Sequence, residues 1–168
     1  RTILRVRGDP VAAMAELNDH LCAELDGRTF VSLFLGLIDP RARELRWVSA
    51  GHGSIRVDTA GTATALTSTG PALGVVDGAA YGMKGPIPLA LGDAVVLYTD
   101  GLHEAQNRAG EMYGEDERLI PSIKARAARH RDARALLDGV LDDLYGHVGD
   151  APVADDVTCV VLRVLDGA

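Results

Sequence analysis

The stretch that most constrains the fold is residues 30–38, Phe-Val-Ser-Leu-Phe-Leu-Gly-Leu-Ile, where apolar side chains fall on both alternating positions of an extended chain. A half-exposed strand alternates apolar and polar residues. One that is apolar on both faces needs cover on both, inside a layered structure and away from an exposed edge. Asp39-Pro40 and the residues up to Arg43 then form a turn, and Leu45-Arg-Trp-Val48 returns as an antiparallel partner. Residues 55–57, 63–66, 80–87 and 94–98 read as further short strands, separated by turns such as Thr59-Ala60-Gly61.

Helical spacing brackets this block. Asp9-Pro10 has the form of an N-cap followed by proline at the first helical position, and Met14, Leu17, Leu21 and Leu25 recur at helical intervals. After Tyr98 the pattern turns helical again. Leu119, Ile123 and Ala127 place a helix over residues 115–130, with Pro121 in its tolerant first turn. Leu136, Leu137, Val140, Leu141, Leu144 and Val148 form one apolar stripe from about Asp132 onward. Residues 157–164 return as a strand. The order helix, strands, helices, strand predicts an α+β fold with mostly antiparallel sheets. With 168 residues, 47% of them apolar, and no linker or repeat, residues 1–168 read as a single domain.

Composition removes several functions. The 17 Lys plus Arg residues are outnumbered by 24 Asp plus Glu, giving a net charge of −7 without a basic block, which argues against a nucleic-acid partner. No apolar run approaches the roughly 20 residues of a membrane helix and no signal-peptide core opens the chain, so a cytoplasmic protein without membrane contact is expected. Cys22 and Cys159 are far apart in sequence and read as reduced core thiols. No Gly-Lys-Ser/Thr phosphate loop, dinucleotide fingerprint or Gly-x-Ser-x-Gly elbow is present. His103-Glu-Ala-Gln-Asn107 has asparagine where a zincin needs its second histidine.

Two acidic sites remain, each where a strand ends. Val95-Val-Leu-Tyr-Thr-Asp100-Gly101 delivers an aspartate at a strand tip, with a glycine as the backbone turn beside it; Asp155-Asp156-Val-Thr-Cys opens the last strand. Carboxylates fixed on strand ends suit Mg²⁺ or Mn²⁺, which prefer oxygen donors and need few protein ligands. Taken alone, the Asp-Gly also reads as a plain turn and the Asp-Asp as a solvated cap.

The residues between these sites carry a resemblance. Phe30-Val-Ser-Leu-Phe-Leu-Gly, Trp47-Val-Ser-Ala-Gly-His52, Gly70-Pro-Ala-Leu-Gly74, residues 91–105 around Tyr98-Thr-Asp-Gly101, Tyr113-Gly114 and Asp155-Asp-Val-Thr158 follow one another in the order and spacing of one family. From near Asp9 to about Val164 the chain resembles the SpoIIE-like branch of the PPM metal-dependent serine/threonine phosphatases. The resemblance implies a sandwich of two packed, mostly antiparallel sheets flanked by helices, with two Mn²⁺ or Mg²⁺ ions at one end. It implies that Asp100 and Asp155 are metal ligands, that Gly101 turns the backbone there, and that Asp156 stands just behind the ligands. Thr158 is structural on this reading. His52, in the family's Ala-Gly-His, is a phosphate contact or, equally, a packing residue. No catalytic residue beyond the metal ligands is implied, because a water activated by the ions attacks the phosphorus in line. The substrate of many relatives is a phosphorylated anti-sigma-factor antagonist.

One departure bears on activity. The family also uses an aspartate on its first strand and an Asp-x-x-Gly-x-Gly stretch before the helix that starts at Asp9, and residues 1–8 provide neither. The expectation is a domain truncated at its N-terminus, a phosphatase in the parent protein and inactive as this fragment. The competing expectation is a non-catalytic PPM-like interaction module. A homodimer built through the surface left uncovered is a third possibility.

Overall fold

The computed structural model describes residues 8–165. Its elements in chain order are α1 (Pro10–Glu24), β1 (Leu33–Asp39), β2 (Glu44–Ala50), β3 (Ser54–Val57), β4 (Ala63–Ala65), β5 (Lys84–Pro88), β6 (Ala94–Tyr98), the short α2 (Asp100–His103), one π-helical turn (Glu115–Leu119), α3 (Ile120–Arg129), α4 (Ala133–Val148) and β7 (Cys159–Arg163). They divide into two units, one of residues 8–52 with Thr67–Leu89 and the other of Gly53–Leu66 with residues 90–165. The α+β class and the two antiparallel sheets agree with the reading of the sequence.

In the first unit Asp9 caps α1, its Oδ1 accepting the Val11 N–H at 2.9 Å, and Pro10 occupies the first turn, where no N–H is required. Asp39 makes the β1–β2 turn by accepting from the N–H groups of Arg41 (2.8 Å) and Ala42 (2.9 Å), which hold its carboxyl below the usual range. The two strands pair from Leu33 opposite Ala50 to Asp39 opposite Glu44, and β5 adds to the other side of β2. Met14 of α1 buries itself with Val48, Ala50, Leu73, Ala79 and Tyr81. Asn18, fully buried, fastens the helix to the loop after β4. Its Nδ2 donates to Val76 O at 2.9 Å, while its Oδ1 accepts from Gly74 N (3.1 Å) and the Tyr81 hydroxyl (3.2 Å).

The expectation for β1 is corrected. The strand order β1-β2-β5 leaves β1 at the sheet edge among the described residues, with Leu37 39% and Ile38 47% exposed. Its apolar pattern records that both faces favour cover, but a pattern does not name the neighbour that supplies it. Smaller differences lie at element ends. The strand expected over residues 80–87 forms only at Lys84–Pro88, and the helix expected over 115–130 opens as a π-helical turn before α3.

In the second unit the sheet runs β4-β3-β6-β7, antiparallel throughout. Ile55, Val57, Ala94, Val96, Tyr98, Cys159 and Val161 alternate onto one face, where Leu119, Ile123, Leu136, Val140 and Leu144 complete the core. Asp132 caps α4 through the Ala135 N–H at 3.0 Å. A forked pair ties α3 to α4, with Arg126 Nη2 donating to Asp143 Oδ1 (2.6 Å), Arg126 Nε to Oδ2 (3.2 Å), and the Ser122 hydroxyl adding 2.6 Å to Oδ2. Cys22 and Cys159 are free thiols, both half-buried. Among the described residues no helix is long and apolar enough to cross a membrane.

The hydrogen bonds from Arg126, against the opposing effect of burial, hold the Asp143 carboxyl below its ordinary range. A carboxyl depressed by folding contributes stability above its unfolded pKa of about 3.9, and that stability is lost as pH falls through the folded value. Asp143→Asn is therefore expected to lower stability near neutral pH, with the gap to the parent chain closing as pH is taken toward about 2, read by urea denaturation at each pH.

Candidate functional site

Antiparallel pairing of β6 with β7 decides where the two acidic segments go. Tyr98 lies opposite Cys159 at the end of the ladder, so the residues just after Tyr98 and just before Cys159 leave the sheet side by side. Thr99 bolts them together. Its N–H donates to Thr158 O (3.1 Å), its hydroxyl donates to Asp156 O (3.0 Å), and the same oxygen accepts the Thr158 N–H (3.0 Å). Thr99 precedes α2 but its side chain does not cap that helix, because the hydroxyl is committed across the gap.

Gly101 is buried in the first turn of α2 and does not adopt a positive φ, which corrects the expectation of a sharp glycine turn. Its reason is proximity. A Cβ placed there would lie 2.5 Å from Asp156 O and 3.4 Å from the Asp155 carbonyl carbon. The two backbones are thus in van der Waals contact, and Asp100 and Asp155 project from adjoining tips. Both side chains are exposed, as is Asp156. Asp100 Oδ1 accepts its neighbour's N–H (Gly101, 3.0 Å), and Asp155 Oδ1 does the same (Asp156, 2.7 Å). Among the described residues no Lys, Arg or His pairs with any of the three carboxylates. Asp155 and Asp156 also line a depression of about 470 Å³ with the exposed Tyr145 and Val153.

Tyr98 anchors this end of the sheet. It is 2% exposed, meets His103 edge-on at 6.1 Å, and donates to Glu115 Oε1 at 2.5 Å. Burial and the Glu115 carboxylate push its phenol far above the usual range, so it stays a hydrogen-bond donor. Burial likewise lifts the Cys159 thiol to about 11, which removes a thiolate from the donor set. His52 belongs to the first unit, in the turn after β2, where its Nδ1 stands 3.1 Å from Ser32 Oγ. The structure therefore joins Asp100, Gly101, Asp155 and Asp156 within one unit, while His52 belongs to the other. The residue that the sequence reading missed is Thr99; a hydroxyl side chain directly before a strand-tip aspartate was the available signal.

The family described as Stage II sporulation protein E (SpoIIE) matches residues 1–165. The chain belongs to the SpoIIE family. Its relatives extend well beyond it: Protein IcfG of Synechocystis sp. is 28% identical over 147 residues, which make up 86% of this chain and 22% of IcfG. The SiaA-PP2C domain of Pseudomonas aeruginosa superposes with a TM-score of 0.75 at 23% identity, over 96% of this SpoIIE-family chain and 64% of that one. The RsbU and RsbW domains of Rv1364c from Mycobacterium tuberculosis superpose with a TM-score of 0.71 at 23% identity, over 99% and 46%. These likenesses establish a SpoIIE-type PPM phosphatase fold. The chain spans about a fifth of IcfG and less than two-thirds of either solved relative.

If backbone proximity is why Gly101 is a glycine, Gly101→Ala drives the two acidic segments apart. Overpacking of this kind costs about 1–3 kcal/mol. The expected result is a matching loss in unfolding free energy, with faster amide exchange at Thr158, whereas Gly→Ala in a free helical turn would stabilise.

Proposed function

We propose that this SpoIIE-type domain is a metal-dependent protein serine/threonine phosphatase in which Asp100 and Asp155 hold a divalent cation. The observation that carries the reading is the contact between the Asp100 and Asp155 segments, made by Thr99 and left open by Gly101. The donors fit a hard cation. They are exposed carboxylates, Asp100 at the start of α2 and Asp155 in the segment that leads into β7, without cationic partners among the described residues, and Mg²⁺ or Mn²⁺ binds through one or two carboxylates while keeping several waters. When bound, such ions supply charge neutralisation at phosphoryl oxygens and acidify a water for attack.

The chain's own residues have narrower tasks. Asp100 and Asp155 provide the negative charge and fix where a cation sits; Asp156 lies behind them through its carbonyl, accepting from Thr99. The substrate proposed is a phosphoserine or phosphothreonine protein, and the regulatory setting sigma-factor partner switching with an anti-sigma-factor antagonist; family membership and the RsbU-containing structural relative support this. The family match runs through both units without a break, which supports one domain.

A second reading has its own observation. Among the described residues no group of three or more His, Cys, Asp or Glu side chains gathers to hold a metal. The two aspartates suffice for one weakly held ion, not for the pair that the family uses, so this chain by itself is proposed to be inactive. The interaction-module reading extends that inactivity to the parent protein.

Phosphate release from a phosphoserine protein with Mn²⁺, assayed on the longer parent protein, separates the two. The phosphatase reading expects turnover that falls by about a hundredfold or more in Asp100→Asn and in Asp155→Asn, as loss of transition-state charge stabilisation does elsewhere. Turnover unchanged by both substitutions removes the assigned roles. No turnover in the parent protein favours the interaction module.

A further inference from the structure

The end of the β6–β7 ladder remote from Asp100 and Asp155 carries a cationic cavity that the phosphatase reading does not use. Four residue steps of roughly 3.4 Å separate the Tyr98–Cys159 pair from the Ala94–Arg163 pair. There, on the helix-packed face, Arg163 is half-buried. Its Nη2 donates to Ala127 O at 2.7 Å, but its Nε and Nη1 are buried with no hydrogen-bond partner. Unpartnered guanidinium N–H groups at depth are costly, and native structures fill such places with an anion or water.

The carboxylates nearby are committed elsewhere, save one oxygen of Asp93. Asp93 acts on Arg163 through its charge; its Oδ2 accepts from Arg56 Nη2 (2.5 Å), Arg56 Nε (3.1 Å) and the Ala90 N–H (2.9 Å), while its Oδ1 is buried without a hydrogen-bond partner. Asp58 closes its own turn through Ala60 and Thr62, and Asp132 caps α4. Arg131 adds a second positive charge beside Arg163, and among the described residues neither arginine forms an ion pair. Burial first, and Arg131 with it, pull the Arg163 guanidinium below its ordinary pKa despite Asp93. In a chain of net charge −7, two adjacent arginines that form no ion pair among the described residues are out of keeping with the rest of the surface. Both line a cavity of about 460 Å³, with Thr59 at its polar side and Leu91, Val164 and Leu165 forming an apolar wall.

We propose that this cavity binds a small organic oxyanion, a phosphate ester or carboxylate on a short apolar body, with Arg163 and Arg131 gripping the anionic head. The planar guanidinium fork matches both head groups, and the apolar wall takes the body.

The test is a titration of the full chain with phenyl phosphate in EDTA, which keeps cations away from Asp100 and Asp155, followed by amide NMR and calorimetry. Sodium chloride at equal ionic strength is the reference. The expected result is saturable binding, with shifts at Gly92, Ala128 and Val164 and affinity reduced about tenfold or more in Arg131→Gln, whose exposed position keeps the fold out of question. Arg163→Lys, which loses the fork but keeps the charge, is expected to weaken binding as well. Binding that does not saturate, that is unchanged in Arg131→Gln, or that shifts only residues around Asp100 would overturn the proposal.

Discussion

The contact between the segment after β6 and the segment before β7 is the constraint on which the site rests. Sheet pairing brings Tyr98 and Cys159 opposite each other, but pairing alone leaves the next residues free to diverge. Three hydrogen bonds at Thr99 prevent that, and a missing Cβ at Gly101 allows backbone contact that any other residue would block. The two acidic segments are thereby fixed side by side although 55 positions separate Asp100 from Asp155 in the chain. The backbone geometry leaves both carboxylates exposed and, among the described residues, without cationic side chains, which is why a cation from solution is the ligand proposed for them.

Rigidity behind the tips comes from the second unit's core. Tyr98 fills the base of the site and is tied to Glu115, while the alternation through Val96 and Ala94 seats β6 against α3 and α4. The Arg126–Asp143 fork then ties those helices to each other. Packing of this kind steadies the end of the ladder from which the Asp100 and Asp155 segments leave, as the proposed metal role requires. The first unit is organised by a different device, a buried asparagine that satisfies a carbonyl, an amide and a phenol at once.

Much of this was legible in the sequence. Asp9-Pro10 announced α1, the apolar stripe from Leu136 to Val148 announced α4, and Asp100 and Asp155 stood out because carboxylates at strand tips are simple to recognise from local pattern. What could not be read were relations between distant segments. The edge position of β1 depends on which strand pairs with it, and nothing in the stretch 33–39 encodes that partner. The use of Gly101 for close approach instead of a turn depends on Asp156, and the role of Asn18 depends on Val76 and Tyr81. Arg163 reads as an ordinary last residue of a strand until its unpartnered nitrogens are seen in place.

The most direct check of the central claim is a double-mutant cycle on Mn²⁺ affinity, measured by electron paramagnetic resonance with Asp100→Asn, Asp155→Asn and the pair together. A shared ion predicts strong coupling, so that each single change loses most of the affinity and the double change loses little more. Single changes that leave affinity intact, or losses that simply add, would mean that the two aspartates do not hold the same cation.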